Sequence, residues 1–145
     1  MRVIVQKVSY SSVSVDGKLI NEIQKGLNVL VGFTDGDSSK EIDYLVNKVA
    51  NLRIFEDEND VMNKSVQDVK GSILLISQFT LYGDASKGNR PSYVKALGGK
   101  EAEPLYEEMA EKLNNIVPTY KGVFGADMSV IIHNDGPATI IIDSR

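Results

Sequence analysis

Strand patterns fill residues 3–33 before any helical pattern begins, and this order is the strongest constraint on the fold. Val3, Val5 and Val8 mark a first strand, and residues 12–15 alternate between Ser and Val, as a half-buried strand does. Asp16-Gly17 then predicts a two-residue hairpin turn. The run 26–33 is apolar enough to predict a third strand that is buried on both faces.

Helical spacing occurs in two later segments. Ser38 or Ser39 predicts the cap of a first helix, which follows the helical period to about Asn51. A second helix is predicted over about 102–115, and Pro91 marks a possible further helix start. Other strands are predicted over 52–55, 72–79, 123–124, 128–133 and 139–142, with 61–71 irregular. Helices do not separate the strands regularly, so seven or eight strands and two or three helices predict an α+β fold, a mixed β-barrel or sandwich with the helices packed outside.

The composition limits the chemistry. A chain of 145 residues fits a single domain over 1–145. The absence of cysteine excludes disulfides, a thiol nucleophile and a thiolate-bound metal. With His133 as the one histidine, a zinc site is not expected, although carboxylates alone leave Mg²⁺ open. We expect no metal and no cofactor.

The N-terminal residues do not resemble a signal peptide, and no apolar run reaches the length of a membrane span. We therefore expect a cytoplasmic protein without membrane contact. A net charge of −4 argues against broad, charge-driven binding of nucleic acid. However, residues 85–100 hold only basic charges, at Lys87, Arg90, Lys95 and Lys100. This segment is either a solvated loop or a small site for a few phosphates, such as those at one end of an RNA.

Two polar segments stand out against their apolar surroundings. In the first, Ser77, Gln78, Phe79 and Thr80 end an apolar strand with three uncharged hydrogen-bonding side chains. This pattern fits either an adaptable ligand surface or a strand end that faces water. The second, 134–139, predicts a tight hairpin turn between two hydrophobic strands. Its Gly-Pro pair permits a cis bond and can present bare carbonyl oxygens to a ligand.

With these two segments the sequence resembles the D-aminoacyl-tRNA deacylase family along its whole length. Residues 77–80 match one family signature, and 134–137 with Thr139 match the other. Weaker matches in the same order lie at 52–57, 62–63, 90–92, 103–106 and 124–128. Two positions depart from the family's common pattern: Ala138 replaces a Val or Phe, and Lys7 replaces an Arg thought to brace the Gly-Pro loop. Because Lys lacks the planar fork of Arg, this support is expected to differ.

The resemblance implies a homodimer that hydrolyses the ester of D-aminoacyl-tRNA at its 3′ end. It implies that Gly136 and Pro137 form a cis pair, which enters the partner's active site opposite residues 77–80. It also places Phe124 and Met128 in the pocket. Carbonyl oxygens of the pair would exclude an L side chain and leave a D side chain free. Glycine has no side chain to exclude, so we expect some cleavage of glycyl-tRNA.

The catalytic group is a separate question. A Thr80 hydroxyl is a weak nucleophile without an adjacent base, and His133 on an alternating strand is more often structural. We therefore expect Thr80 to position the substrate, while the ribose 2′-OH assists and the amides of Phe79 and Thr80 stabilise the oxyanion. Two alternatives stay open: an editing domain that removes L-serine from threonyl-tRNA, and a non-catalytic RNA- or DNA-binding module.

Overall fold

A long central strand, β1 (Arg2–Val15), organises the structure, which a computed structural model describes for residues 1–144. Along one edge, β1 pairs antiparallel with β2 (Lys18–Ile23) and β3 (Gly26–Gly32). Along its other edge it pairs with β8 (Ser129–Asp143) from Arg2 to Ser14. The predicted hairpin at Asp16-Gly17 is confirmed, because both residues have the positive φ that a tight turn between twisted strands requires.

Two parallel strands extend the sheet beyond β3. β6 (Ser72–Ser77) pairs with β3, and β7 (Thr119–Lys121) pairs with β6. The side chain of Asn21 in β2 donates to the carbonyl of Lys121 in β7 at 2.7 Å. This contact brings the two ends of the sheet together and leaves a nearly closed barrel. A separate small ribbon pairs β4 (Phe55–Glu56) with β5 (Met62–Lys64).

Two helices, α1 (Ser39–Asn51) and α2 (Gly99–Asn114), pack on the outside of this sheet. Helix α1 begins with the expected cap. The Ser38 side chain accepts a hydrogen bond from the Lys40 amide, and the Glu41 carboxylate accepts one from the Ser38 amide. The residues of β6 alternate between two cores: Ile73 and Leu75 pack with the helices, whereas Leu74 and Ile76 pack inside the barrel. The predicted α+β barrel with outer helices is confirmed.

Several local predictions were wrong. No helix begins at Pro91, because residues 83–98 form an irregular segment in which Asp84 and Ser92 exchange two backbone hydrogen bonds of 2.8 Å. The strand expected at 123–124 lies earlier, in β7, and the expected irregular segment 61–71 contains β5. The strand expected over 72–79 ends at Ser77 and is followed by a 3₁₀ turn at Phe79–Tyr82. Within residues 1–144 no helix has the length and apolar character of a membrane span.

Candidate active site

A cleft of about 610 Å³ opens where β3 and β6 end. Its walls come from the end of β6, the 3₁₀ turn, the residues before α2, and the segment 124–130. Five of the residues predicted for the site line this cleft: Ser77, Gln78, Phe79, Phe124 and Met128. Thus segments separated by more than forty positions in the sequence meet at one surface.

The 3₁₀ turn is held close to β3. The Gln78 amide donates to the carbonyl of Val31 at 2.7 Å, which continues the β3–β6 pairing by one bond. Gly32 follows in β3, and a Cβ at this position would lie 2.9 Å from the Gln78 carbonyl oxygen. That distance is too short for any other residue, so glycine permits the close approach that sets the height of the turn.

The turn exposes an aromatic rim. Phe79 is 57% exposed, and its ring meets that of Tyr93 edge to face, with 5.2 Å between centroids. Both residues line the cleft. Such a pair offers flat apolar surface to a ligand that enters from solvent. The sequence did not identify Tyr93, which lies in a segment without regular periodicity.

The opposite wall rests on a buried tyrosine. Phe124 packs against Tyr106 of α2, with 5.7 Å between ring centroids. The Tyr106 hydroxyl donates to the carbonyl of Leu75 at 2.6 Å, and burial raises its pKa above the usual tyrosine value. The neutral hydroxyl is therefore a structural tie between α2 and β6, and it fixes the back of the cleft.

The surroundings of Thr80 bear on its role. The Gln78 side-chain amide donates to the Thr80 hydroxyl oxygen at 2.5 Å. An amide N–H cannot accept a proton, so this partner does not make the hydroxyl a nucleophile. His133 lies in β8, where its ring meets Tyr10 at 5.3 Å. In a helical turn the first amides have no partner within the turn, so those of Phe79 and Thr80 are suited to hold a developing negative charge.

The predicted hairpin at 134–139 is wrong, because β8 continues through it as one strand. Asn134 pairs with Val8 and Thr139 pairs with Gln6, so the four residues between them face Lys7 alone. These residues, 135–138, therefore form a large bulge on the outer strand of the sheet. Both halves of β8 align on the continuous β1, which overrides the local turn chemistry. Within residues 1–144, Gly136 and Pro137 do not line the cleft of their own chain.

The bulge is anchored at its base and open at its tip. Ala138 is buried, whereas Asp135, Gly136 and Pro137 are exposed, and the Gly136–Pro137 bond is cis. Asn134, in the amide orientation that satisfies both of its ends, donates to the carbonyls of Lys7 and Ala138, each at 3.0 Å. The base is thus fixed by backbone carbonyls on both strands.

Lys7 lies beneath the bulge. It is only 5% exposed, and its Nζ lies 3.9 Å from the carboxylates of both Asp135 and Glu56. This places a buried cation where the family commonly has arginine. Whether it braces the bulge as that arginine is thought to do stays a prediction.

Other residues of the cleft carried no individual signal in the sequence. Leu97, Gly98 and Gly99 complete the wall beside Tyr93, and Asp127 adds a carboxylate near Met128. Of these, only Asp127 belonged to a stretch that matched the family. Among residues 1–144, no group of three acidic or histidine side chains is placed to hold a metal ion.

Comparison with known proteins gives a family match over most of the chain. Residues 4–143 match the family model described as D-Tyr-tRNA(Tyr) deacylase. D-aminoacyl-tRNA deacylases of Clostridium tetani and Clostridium acetobutylicum are 58% and 53% identical to this chain, covering 100% of it and 98% of each relative.

Two solved structures share the fold. One, titled c-Myc DNA Unwinding Element Binding Protein, has a TM-score of 0.95 at 41% identity and covers 100% of this chain and 99% of its own. The other, a probable eukaryotic D-amino acid tRNA deacylase, has a TM-score of 0.82 at 18% identity and covers 97% of each chain. From the family match and the relatives over its full length, we conclude that the chain belongs to the D-Tyr-tRNA(Tyr) deacylase family.

Proposed function

We propose that this protein hydrolyses the ester of D-aminoacyl-tRNA and releases the D-amino acid and the tRNA. One observation carries the proposal beyond family membership: Ser77, Gln78 and Phe79 line a cleft at the start of a 3₁₀ turn. A water molecule adds to the ester carbonyl carbon, the bond to the ribose oxygen breaks, and that oxygen takes a proton. The negative charge that develops on the carbonyl oxygen is stabilised by the amides of Phe79 and Thr80.

The proton transfers are assigned to the substrate. Neither the Gln78–Thr80 contact nor the position of His133 supplies a base beside the Thr80 hydroxyl. The ribose 2′-OH is adjacent to the ester in every aminoacyl-tRNA, so it can relay a proton from water to the leaving oxygen. Thr80 then contributes by holding the turn and the substrate in position.

The chiral selection is assigned to a second copy of the chain. The bulge at 135–138 projects from the outer strand β8 and does not reach the cleft of its own chain. Exposed isoleucines lie on the same strand at Ile131, Ile140 and Ile141, and an outer strand that exposes apolar residues favours pairing with another chain. In a symmetric dimer, each bulge can enter the cleft of the other subunit.

The carbonyl oxygens of Gly136 and Pro137 then act by exclusion. Every substrate shares the α-ammonium and the ester, so these anchors fix the α-carbon while the carbonyls occupy the space of an L side chain. A D side chain points away from them.

Glycyl-tRNA meets no such barrier, so we expect it to be cleaved. The measurement is glycyl-tRNA hydrolysis beside D-tyrosyl-tRNA and L-tyrosyl-tRNA. Complete resistance of the glycyl ester would contradict selection by exclusion.

Mixed dimers test the cross-subunit arrangement. One subunit carries Ala126→Trp, which fills its cleft; the other carries Gly136→Ala and Pro137→Ala, which disturb its bulge. The bulge-variant homodimer is expected to cleave L-tyrosyl-tRNA as well as the D ester. In the mixed dimer, the one open cleft faces an intact bulge, so rejection of the L ester should return. Unchanged loss of rejection, or a monomer by light scattering, would overturn the arrangement.

A second candidate is a nucleic-acid-binding role without catalysis. It is favoured by the 41% identity to the structure titled as a DNA-unwinding-element binding protein. The two roles separate in one comparison. Turnover of D-tyrosyl-tRNA supports the deacylase, whereas tight DNA binding without turnover supports the alternative.

A further inference from the structure

The basic segment, residues 85–100, holds four cations and no acidic residue. Lys87, Arg90, Lys95 and Lys100 are exposed, and within residues 1–144 none of them forms a salt bridge. Some lysines elsewhere are ion-paired, such as Lys112 with two carboxylates at 2.5 and 2.9 Å, whereas others, such as Lys18 and Lys40, are not in the part of the chain that the structure describes. What distinguishes the segment is that its four cations lie within fourteen positions with no acid among them; Asp84, which precedes the segment, interacts electrostatically with Lys95.

The segment is fixed against the cleft. The Thr34 hydroxyl donates to the carbonyl of Lys95 at 2.5 Å, and the Leu97 amide donates to the carbonyl of Phe33 at 3.0 Å. Earlier in the segment, the two Asp84–Ser92 hydrogen bonds close the loop that carries Lys87 and Arg90. The cations therefore have a defined place rather than lying on a free tail.

Two of the four basic residues lie next to residues of the cleft wall. Lys95 lies between Tyr93 and Ala96, and Lys100 directly follows Gly99; all three neighbours line the cleft. A ligand whose reactive end enters the cleft would thus pass the basic segment. If that ligand is a nucleic acid, its backbone phosphates are what this segment would meet first.

We propose that the basic segment binds backbone phosphates at the aminoacylated end of the tRNA, which deepens the proposed function and rests on it. Phosphate contacts position a nucleic acid without reading its sequence, so one surface can serve tRNAs of different sequence. Such contacts also release counterions, which makes binding weaken as salt rises. The remainder of the chain is acidic on balance, which disfavours contact with the polyanion elsewhere, so this segment contributes to the orientation of the tRNA.

Two substrates separate this surface from the cleft. The first is D-tyrosyl-tRNA, and the second is the D-tyrosyl ester of adenosine, which has no phosphate. The test variant is Lys87→Ala with Arg90→Ala. The matched control is Lys18→Ala with Lys40→Ala, which removes the same charge from exposed positions outside the segment.

We expect the test variant to raise the KM for the tRNA by about tenfold or more at moderate salt, with kcat nearly unchanged. The slope of log kcat/KM against log salt should become shallower by roughly 1.4 to 1.8, since two phosphate contacts are lost. The adenosine ester should be hydrolysed as by the wild type, and the control variant should match the wild type on both substrates.

Equal losses on both substrates would overturn the proposal, because they would indicate damage to the cleft. An unchanged KM and salt slope for the tRNA would overturn it too. If the wild type hydrolyses neither substrate, the proposed function fails instead. Binding of uncharged tRNA, measured by fluorescence anisotropy, then tests the basic segment alone. If the affinity of the variant and that of the wild type depend equally on salt, phosphate binding by the segment is rejected.

Discussion

Replacing Thr80 with alanine separates the two catalytic schemes. The substitution removes a hydroxyl that accepts a hydrogen bond from the Gln78 side-chain amide at 2.5 Å. Gln78 is only half-buried, so water can take over that hydrogen bond, and we expect the free energy of unfolding to fall by less than about 1 kcal/mol. If Thr80 only positions the substrate, the barrier rises by the value of one hydrogen bond, about 1.4 kcal/mol, which is a tenfold loss in kcat.

A catalytic nucleophile would behave differently, because its removal typically costs about 10⁴-fold or more in kcat. The assay is single-turnover hydrolysis of D-tyrosyl-tRNA, with Thr80→Ser as the matched variant that keeps a hydroxyl. Substantial activity in both variants supports assistance by the substrate's 2′-OH. A loss of roughly 10³-fold or more in Thr80→Ala, with Thr80→Ser near the wild type, would refute it.

Three further outcomes follow from the packing and hydrogen bonding around the cleft. Gly32→Ala forces its Cβ toward the Gln78 carbonyl 2.9 Å away, so urea unfolding should show a loss of roughly 1–3 kcal/mol, with reduced deacylation as the turn shifts. Tyr106→Phe removes the buried hydrogen bond to β6 and should cost about 1 kcal/mol in the same measurement; no change would deny the tie between α2 and β6. Hydrogen bonds from the Ser86 hydroxyl and amide hold the pKa of Asp84 below its usual value. The ionised carboxylate therefore stabilises the loop fully above the unfolded pKa of about 3.9, and this stabilisation is lost as the pH falls through the lower pKa of the folded state. Amide exchange in that loop, corrected for intrinsic rates, should therefore show constant protection down to about pH 5 in the wild type, and weaker, pH-independent protection in Asp84→Asn.

The elements that the sequence predicted well are those whose signals are local. The Asp16-Gly17 turn needs positive φ at two adjacent residues, a requirement that this dipeptide meets by itself. The start of helix α1 was predictable from the cap residues Ser38 and Glu41, and its buried face from the helical spacing of its apolar residues. The signature at 77–80 and the family match at Phe124 and Met128 led to five residues of the cleft, whereas Thr80 of that signature does not line it.

The remaining features depend on contacts between distant segments. Residues 134–139 have the composition of a hairpin turn, and only the continuity of β1 beside them makes a bulge instead. Tyr93 and Leu97 belong to the cleft because backbone contacts with Phe33 and Thr34 hold their segment there, which no periodicity reports. Likewise, the turn after Ser77 lies close to β3 because Gly32 has no side chain, and this is a property of the neighbouring strand.

The length of the bulge in β8 is independent of the register in which β8 pairs with β1. In an ordinary hairpin, adding or removing one residue shifts the strands and turns every side chain to the opposite face of the sheet. Here the pairs at Gln6 and Val8 are fixed on either side of 135–138, so a change of length there would alter how far the segment extends and leave every other pair in place. We therefore expect that the bulge can be lengthened, shortened or exchanged while the pairing of the barrel strands beneath it stays the same.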